Sequence, residues 1–313
     1  MSEEIKLKSP WLVAVWPGMG GVALSAGYYM MAKLGMHLMM EFSPRTLFEV
    51  EHVTVKHGLI RSGRLPRSRL FVWSDPDAKH DVIVFIGEAQ PPVGKHAFCH
   101  SLIEHVRNLG VERVFTFAAM ATQMHPEHSS RVFGAATDAE GLEELKRLEI
   151  ELLDDGQIGG LNGVLLGVAA EVGLRGMCLL GEMPHIFAQL PFPKASLAVL
   201  EVFTTIANIE IDLGELSEQA RNVDQQLGAF LAQIESAMQE REPGAEQETE
   251  GGVDSETLEE PRLSTADAQK IEQLFDQAQR DRSTAYELKR ELDRLDVFKD
   301  YEDRFLDLFR KAD

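Results

Sequence analysis

Leu12-Val13-Ala14-Val15-Trp16-Pro17-Gly18-Met19-Gly20-Gly21 is an apolar run that stops at a proline and then opens into three glycines. A run that is apolar at every position reads as a strand covered on both faces, and the helical pattern starting at Gly21 makes the whole a strand, turn and helix. Glycines let a backbone approach a ligand, and a helix N-terminus favours an anion. Gly18, Gly20 and Gly21 are therefore candidate contacts for a phosphate or carboxylate; the alternative is a tight turn needed only for packing. The dinucleotide fingerprint is incomplete, because Gly21 is followed by Val22, Ala23 and Leu24 with no glycine at the third fingerprint position, and no Gly-Lys-Ser/Thr triplet grips a nucleotide phosphate.

Outward from this unit, strand-like runs recur at Arg69 to Trp73, Asp81 to Gly87, Arg113 to Ala118 and Gly176 to Gly181. Helical patterns alternate with them at Gly94 to Leu109, Ala139 to Leu148, Leu161 to Val172 and Lys194 to Ile206. Alternation of this kind predicts a three-layer α/β/α sandwich. The pattern then changes. Leu216, Ala220, Val223, Leu227, Leu231, Ile234 and Met238 step by three or four along one long helix.

Residues 241–262 hold eight acids, two bases, three glycines and two prolines, with Val253 and Leu258 the only large aliphatics. Such a segment buries too little apolar surface to offset its ordering entropy, so a flexible acidic linker is expected there. Beyond it, Ile271, Leu274, Phe275 and Ala278 mark one helix, and Leu288 to Phe309 mark another, with Thr284 and Glu287 placed for a capping box. The expected organisation is a core domain over 1–212, an amphipathic helix over 213–240, the linker, and a C-terminal helical segment over 263–313. The apolar stripes need a cover, which is either another protein or the chain's own core.

Thirty-one bases against fifty-one acids give a net charge of −20, a field that repels nucleic acid and anionic membranes. Residues 241–313 alone carry 21 acids and 12 bases. No apolar stretch is long enough to span a bilayer without a charge, and Met1 to Glu4 opens no signal core, so a cytoplasmic protein is expected. Cys99 and Cys178 stand alone, without ligand-like spacing, and no metal or other cofactor is implied.

Polar residues collect after the predicted strands. Glu88, Gln123, His125, His128, Asn162, Glu182 and His185 join the glycines as ligand-binding candidates, because open α/β sheets bind ligands beyond the carboxyl ends of their strands. A carboxylate beside a histidine supports acid–base work, whereas the same side chains could equally tie down their own loops. His125 with His128, and Glu182 with His185, have a spacing that metals use on one helical face, but Pro126 breaks such a helix. No Gly-x-Ser-x-Gly elbow is present. The catalytic residues, if any, stay unassigned.

Pro10 to Gly20, Gly87-Glu88-Ala89-Gln90-Pro91-Pro92, the block from Phe117 to Val132, Gly159-Gly160-Leu161-Asn162-Gly163 and Gly181-Glu182-Met183-Pro184 together resemble the proteasome assembly chaperone family, second-subunit type. The likeness covers roughly residues 10–212 and lies nearest the uncharacterised bacterial and archaeal branch. It implies a nucleoside phosphorylase/hydrolase-like sandwich around a mixed sheet, and a homo-oligomer, with a trimer as the expected form. Family members that dock on the proteasome end in a hydrophobic residue, a tyrosine and one further residue, whereas this sequence closes Lys311-Ala312-Asp313, so that mode of docking is not expected. The leading expectation is a non-catalytic scaffold or assembly-chaperone-like protein whose partners are further copies of itself and, through the acidic tail, another protein. The alternative is a small-molecule binder, or a hydrolase- or phosphorylase-like enzyme acting on a nucleoside-like substrate at the strand ends.

Overall fold

A computed structural model describes residues 6–42, 47–50, 53–56, 58–77, 79–239 and 263–310. The opening apolar run forms β1 (Trp11–Val15), and α1 (Val22–Lys33) follows its glycine turn. The chain continues through β2 (His37–Phe42), a hairpin of β3 (Thr54–Lys56) and β4 (Leu59–Arg61), β5 (Ser68–Trp73), β6 (Val82–Gly87) and α2 (Lys95–Asn108). Next come β7 (Arg113–Thr122), β8 (Val132–Ala136), α3 (Ala139–Arg147), β9 (Glu151–Leu152), α4 (Gly160–Glu171), β10 (Arg175–Pro184) and α5 (Pro193–Ala207). Four more helices complete the described chain: α6 (Gly214–Gln239), α7 (Thr265–Arg280), α8 (Ala285–Arg294) and α9 (Phe298–Asp307).

Eight strands make one mixed sheet in the order β2-β5-β6-β1-β7-β10-β8-β9, and β3 and β4 make a separate ribbon. β6, β1, β7 and β10 are parallel neighbours, which is why their sequences are nearly continuous apolar runs. Their C-terminal ends all lie at one end of the sheet. β2 runs with them, since it is antiparallel to β5 and β5 is antiparallel to β6.

The two faces of the sheet have separate cores. α2 and α4 cover one face through Phe98, Leu102, Leu161 and Leu165, packed on Leu12, Ala14, Phe85 and Leu180. α1 and α5 cover the other through Tyr28, Tyr29, Val199 and Phe203, and Phe203 meets Phe115 and Phe117 edge to face. Both cysteines are buried, and burial pushes each thiol up to about 12.

The tail helices add a layer over α1 instead of standing free. Ile271, Leu274, Phe275, Leu288, Leu292, Phe305 and Phe309 are buried in the same core as α1 and α5. Tyr28 packs edge to face on Phe298 and Phe305, Tyr29 on Tyr286, and Phe71 of β5 on Phe309. The amide of Leu38 donates to the Phe309 carbonyl at 2.6 Å, so the last turn is tied to the edge strand β2. The apolar stripes of the tail are therefore covered by the chain's own core.

Two local expectations are corrected. The apolar pattern from Leu288 to Phe309 is two helices, α8 and α9, because Asp296 takes a left-handed conformation at φ 55° between them. The capping box at Thr284 does not form: its hydroxyl donates to the Asp281 carbonyl at 2.8 Å, and the backbone there is already helical. The linker expected over 241–262 lies outside the described residues. Among the described residues no helix is long and apolar enough to cross a membrane.

Candidate functional site

The glycine turn after β1 is held from both sides. Gly20 and Gly21 both sit at φ 61°, a region that costs other residues strain. The Gly20 amide donates to the Ala188 carbonyl at 2.9 Å and its carbonyl accepts from the Phe192 amide at 2.9 Å. A β-carbon at Gly20 would stand 2.7 Å from the Met183 sulfur. Gly20 thus clasps the segment after β10, and with Gly21 it borders a cavity of about 320 Å³ beneath the tail, with Tyr28, Tyr286 and Lys289 in its wall. Gly18 differs from Gly20, because a β-carbon there would meet nothing.

Gly18 opens onto a crevice of about 450 Å³ at the ends of β1 and β7, which also involves Gln90, Asn162, Gly159 and Ala118. The Gln90 amide spans this crevice: its Oε1 accepts from the Leu161 amide at 3.1 Å and its Nε2 donates to the Pro17 carbonyl at 3.4 Å. Gly160 sits at φ 67°, which favours glycine, and a β-carbon there would also lie 2.7 Å from Gln90 Oε1. The Asn162 carbonyl accepts from Thr116 Oγ1 at 3.2 Å, while its side-chain Oδ1 is buried without a partner. The described lining carries no titratable side chain.

Glu88 does not reach the crevice. Its carboxylate accepts from Arg64 Nη1 at 2.6 Å, from the Arg67 amide at 2.9 Å and from Arg69 Nη1 at 3.0 Å. Arg69 is only 1% exposed and also bonds Asp303 of α9, which Arg67 Nη1 reaches at 3.0 Å. Burial pushes the Asp303 carboxyl up, but the bond from Arg69 and the charges of Arg64, Arg69 and Arg67 outweigh it and hold the group below the usual carboxylate range. Glu88 thus belongs to an ion cluster that fastens the tail to the core.

Glu182 has its own arginine. Arg131 Nε and Nη2 donate to it at 2.8 and 2.6 Å, and Thr122 Oγ1 donates at 2.7 Å. The Arg131 bonds, against the effect of burial and with help from Thr122, hold this carboxyl below its usual range. Beside it lies a second hollow of about 520 Å³ lined by Gln123 and His128. His125 stands next to His128 with ring centroids 5.7 Å apart, and it accepts the Glu127 amide at 3.3 Å. His185 Nδ1 lies 3.1 Å from the Thr122 carbonyl.

The sequence candidates therefore occupy four places. Gly18 and Asn162 share the crevice; Gln123, His128 and Glu182 line the second hollow, with His125 beside His128 and His185 at the Thr122 carbonyl; Gly20 and Gly21 face the tail; Glu88 joins the arginines. The expectation that Glu88, His125 and Glu182 meet beside the glycine turn is corrected by strand order. β6 and β10 are separated by β1 and β7, three strand spacings or roughly 14 Å. Reading from sequence missed Gln90, Arg131 and Asp303, and it missed Arg64, Arg67 and Arg69. The last three carried a visible signal, a run of bases without an acid in a strongly acidic chain.

The model of the PAC2 family matches residues 12–231, which is the sheet, its two helix layers and most of α6. The chain belongs to the PAC2 family. Curated relatives within reach are uncharacterized proteins of Methanocaldococcus jannaschii. One, MJ1210, is 30% identical over 53% of this chain and 65% of its own length. The match therefore spans just under two thirds of that relative. MJ0106 is 23% identical over 74% of this chain and 89% of its own length.

Solved PAC2-like structures agree on the fold. PbaB of Pyrococcus furiosus, an archaeal proteasome activator, superposes with a TM-score of 0.62 at 25% identity, over 74% of this chain and 96% of its own. The Mycobacterium tuberculosis proteasome-assembly chaperone homologue Rv2125 gives 0.62 at 20% identity, over 71% and 95%. PbaA of Pyrococcus furiosus, an archaeal homologue of proteasome-assembly chaperone, gives 0.56 at 23% identity, over 74% and 96%. The matched family region ends before α7, so α7 to α9 lie outside it.

Proposed function

We propose that this PAC2 protein is a non-catalytic, oligomeric scaffold of the proteasome-assembly-chaperone kind, acting by protein contact in the cytoplasm, with a trimer as its expected form. Family membership together with the likeness to an archaeal proteasome activator carries the reading. The chemistry of the strand ends supports it. Each carboxylate singled out there is neutralised by arginines of the same chain, an arrangement suited to fixing loops rather than moving protons. Because the apolar stripes of the tail are consumed by the core, any partner of the tail would meet its charged outer face.

The test is to pass the purified full chain, alone and with proteasome α-subunits, over a sizing column with light scattering. A mass that is a multiple of 34.9 kDa and co-elution with the α-subunits are expected. A monomer at micromolar concentration that ignores them overturns the reading.

A second reading, a small-molecule binder, has the crevice in its favour. It lies where parallel sheets bind ligands, and its amides and apolar walls suit a neutral molecule. Screening nucleosides by thermal shift against the full chain and Asn162→Ala tests it: a stabilisation lost in the variant supports binding there.

A further inference from the structure

The cavity of about 320 Å³ bordered by Gly20 and Gly21 is closed by two parts of the chain that the family match separates. Leu24, Ser25 and Tyr28 of α1 belong to the matched region, whereas Tyr286, Lys289 and Phe298 come from the tail. Among the described residues it shares no lining with the crevice at the ends of β1 and β7. A ligand held here would touch core and tail at once.

The polar atoms of this chamber are short of acceptors. The Tyr286 hydroxyl donates to Gln219 Oε1 at 2.6 Å, so it accepts from Ser25 Oγ at 3.3 Å. That bond fixes the Gln219 amide and leaves its Nε2 without an acceptor among the described residues. One turn after Tyr286, the Lys289 side chain is 11% exposed, with Nζ 4.0 Å from the Phe298 ring centroid and 5.1 Å from that of Tyr28. Ring faces attract a cation without offering it a lone pair. Asp293, which is 44% exposed, is the hydrogen-bond acceptor this ammonium has among the described residues. Burial pulls the Lys289 pKa below its ordinary value, and the Asp293 charge and bond with the Glu302 charge do not make up the difference. A buried cation is thus left with N–H groups to spare, beside a spare amide and between aromatic rings.

That shortage defines the ligand. An oxygen anion would take the free N–H groups of Lys289, and an apolar body would cover the rings. Its charge is limited to one. Asp293 and Asp296 line the same cavity, and its second lysine, Lys299, is held by Glu302 at 3.0 Å, so a further negative charge would meet carboxylates without a free cation.

We propose that this cavity binds a small organic acid, a single carboxylate on an apolar body, with the carboxylate on Lys289, and that the bound acid holds the tail against the PAC2 core. A ligand that binds only the closed arrangement stabilises it by mass action.

The test takes the full chain with benzoate, phenylacetate and hexanoate, each against its own amide, in calorimetric titrations and in hydrogen exchange at the Leu306 amide of α9. At roughly ten times its Kd at least one acid should slow that exchange about tenfold, while its amide leaves it unchanged. Lys289→Met keeps the apolar stem and should abolish the effect with circular dichroism unchanged. Asp293→Asn removes the competing carboxylate and should tighten binding several-fold. No binding by any of the acids, equal binding of the amides, or binding that survives Lys289→Met overturns the site. Binding that depends on Lys289 yet leaves Leu306 exchange unchanged overturns the hold on the tail. Should Lys289→Met misfold, Asp293→Asn at its half-exposed position carries the test, and binding no tighter than that of the wild type overturns the pairing with Lys289.

Discussion

Glu88 and Glu182 look alike in the sequence, each a glutamate directly after a glycine at the finish of a parallel strand, yet they do different work. Glu182 is served by Arg131, which is 56% exposed and directly precedes the neighbouring strand β8, together with Thr122 of the neighbouring strand β7. Glu88 is served by Arg64 and Arg69, and the same arginines hold Asp303, more than 230 residues away in α9. One carboxylate fixes a local loop. The other belongs to a cluster in which the PAC2 core, the base of the ribbon and the tail meet.

The sharpest way to break this contrast is Arg69→Leu. Arg69 is the one almost wholly buried cation of the cluster, and removing it leaves the buried Glu88 carboxylate with only the half-exposed Arg64 as its cation and Asp303 with Arg64 and Arg67. A loss of about 3–5 kcal/mol in urea unfolding is expected. A loss below 1 kcal/mol would mean that water already serves the cluster. Next in size is Tyr28→Phe. The Tyr28 hydroxyl donates to Glu302 Oε1 at 3.1 Å, and Glu302 is 1% exposed with Lys299 Nζ 3.0 Å away as its remaining partner. A hydrogen bond to a charged group contributes about 1.5–3 kcal/mol, so a loss in that range is expected, without change in the aromatic packing on Phe298 and Phe305.

Acid should act on both carboxylate sites in the same direction. Asp303 and Glu182 have folded pKa values below their ordinary ones, so the unfolded chain takes up protons first as pH falls. The stability they contribute is present above the unfolded value, about 4, and is lost as pH drops through the folded values. The melting temperature should therefore fall between pH 5 and pH 3. Asp303→Asn should flatten that fall, and an unchanged slope would remove Asp303 from the account.

How much of this was legible varies with the kind of residue. β1, β5, β6, β7 and β10 announced themselves as apolar runs, although β7 and β10 extend beyond the expected ends through Ala119 to Thr122 and Glu182 to Pro184, residues with weak strand preference. β2 was missed because His37-Leu38-Met39-Met40-Glu41-Phe42 is a half-buried edge strand without clean alternation. The break at Asp296 carries no glycine to mark it. The glycines of the candidate site were readable, because Gly20 and Gly160 take backbone conformations that favour glycine for local reasons. The partition of polar residues was not, because it depends on strand order, and the cluster around Glu88 depends on a helix that returns from the far end of the chain.

The smallest expected effect separates the two glutamates most cleanly. Glu88→Gln and Glu182→Gln keep size and remove charge. In Glu182→Gln the released Arg131 is already half in water, so stability should drop by only a fraction of the Arg69 effect, and the tail should not notice. In Glu88→Gln, Arg69 keeps a neutral amide oxygen in place of the Glu88 carboxylate and Asp303 as the nearest carboxylate among the described residues, while Arg64 keeps a longer contact to Asp303 at 3.4 Å. The tail then holds three arginines against one fewer carboxylate, and their mutual repulsion is borne by α9. Hydrogen exchange at the amides of Leu306 and Phe309 reads this directly, since both are buried against the core and exchange only when the tail lifts. Faster exchange there in Glu88→Gln, with no change in Glu182→Gln, is the expected pair of outcomes. Equal acceleration in both variants would mean that the tail senses general loss of stability, and that Glu88 has no special part in holding it.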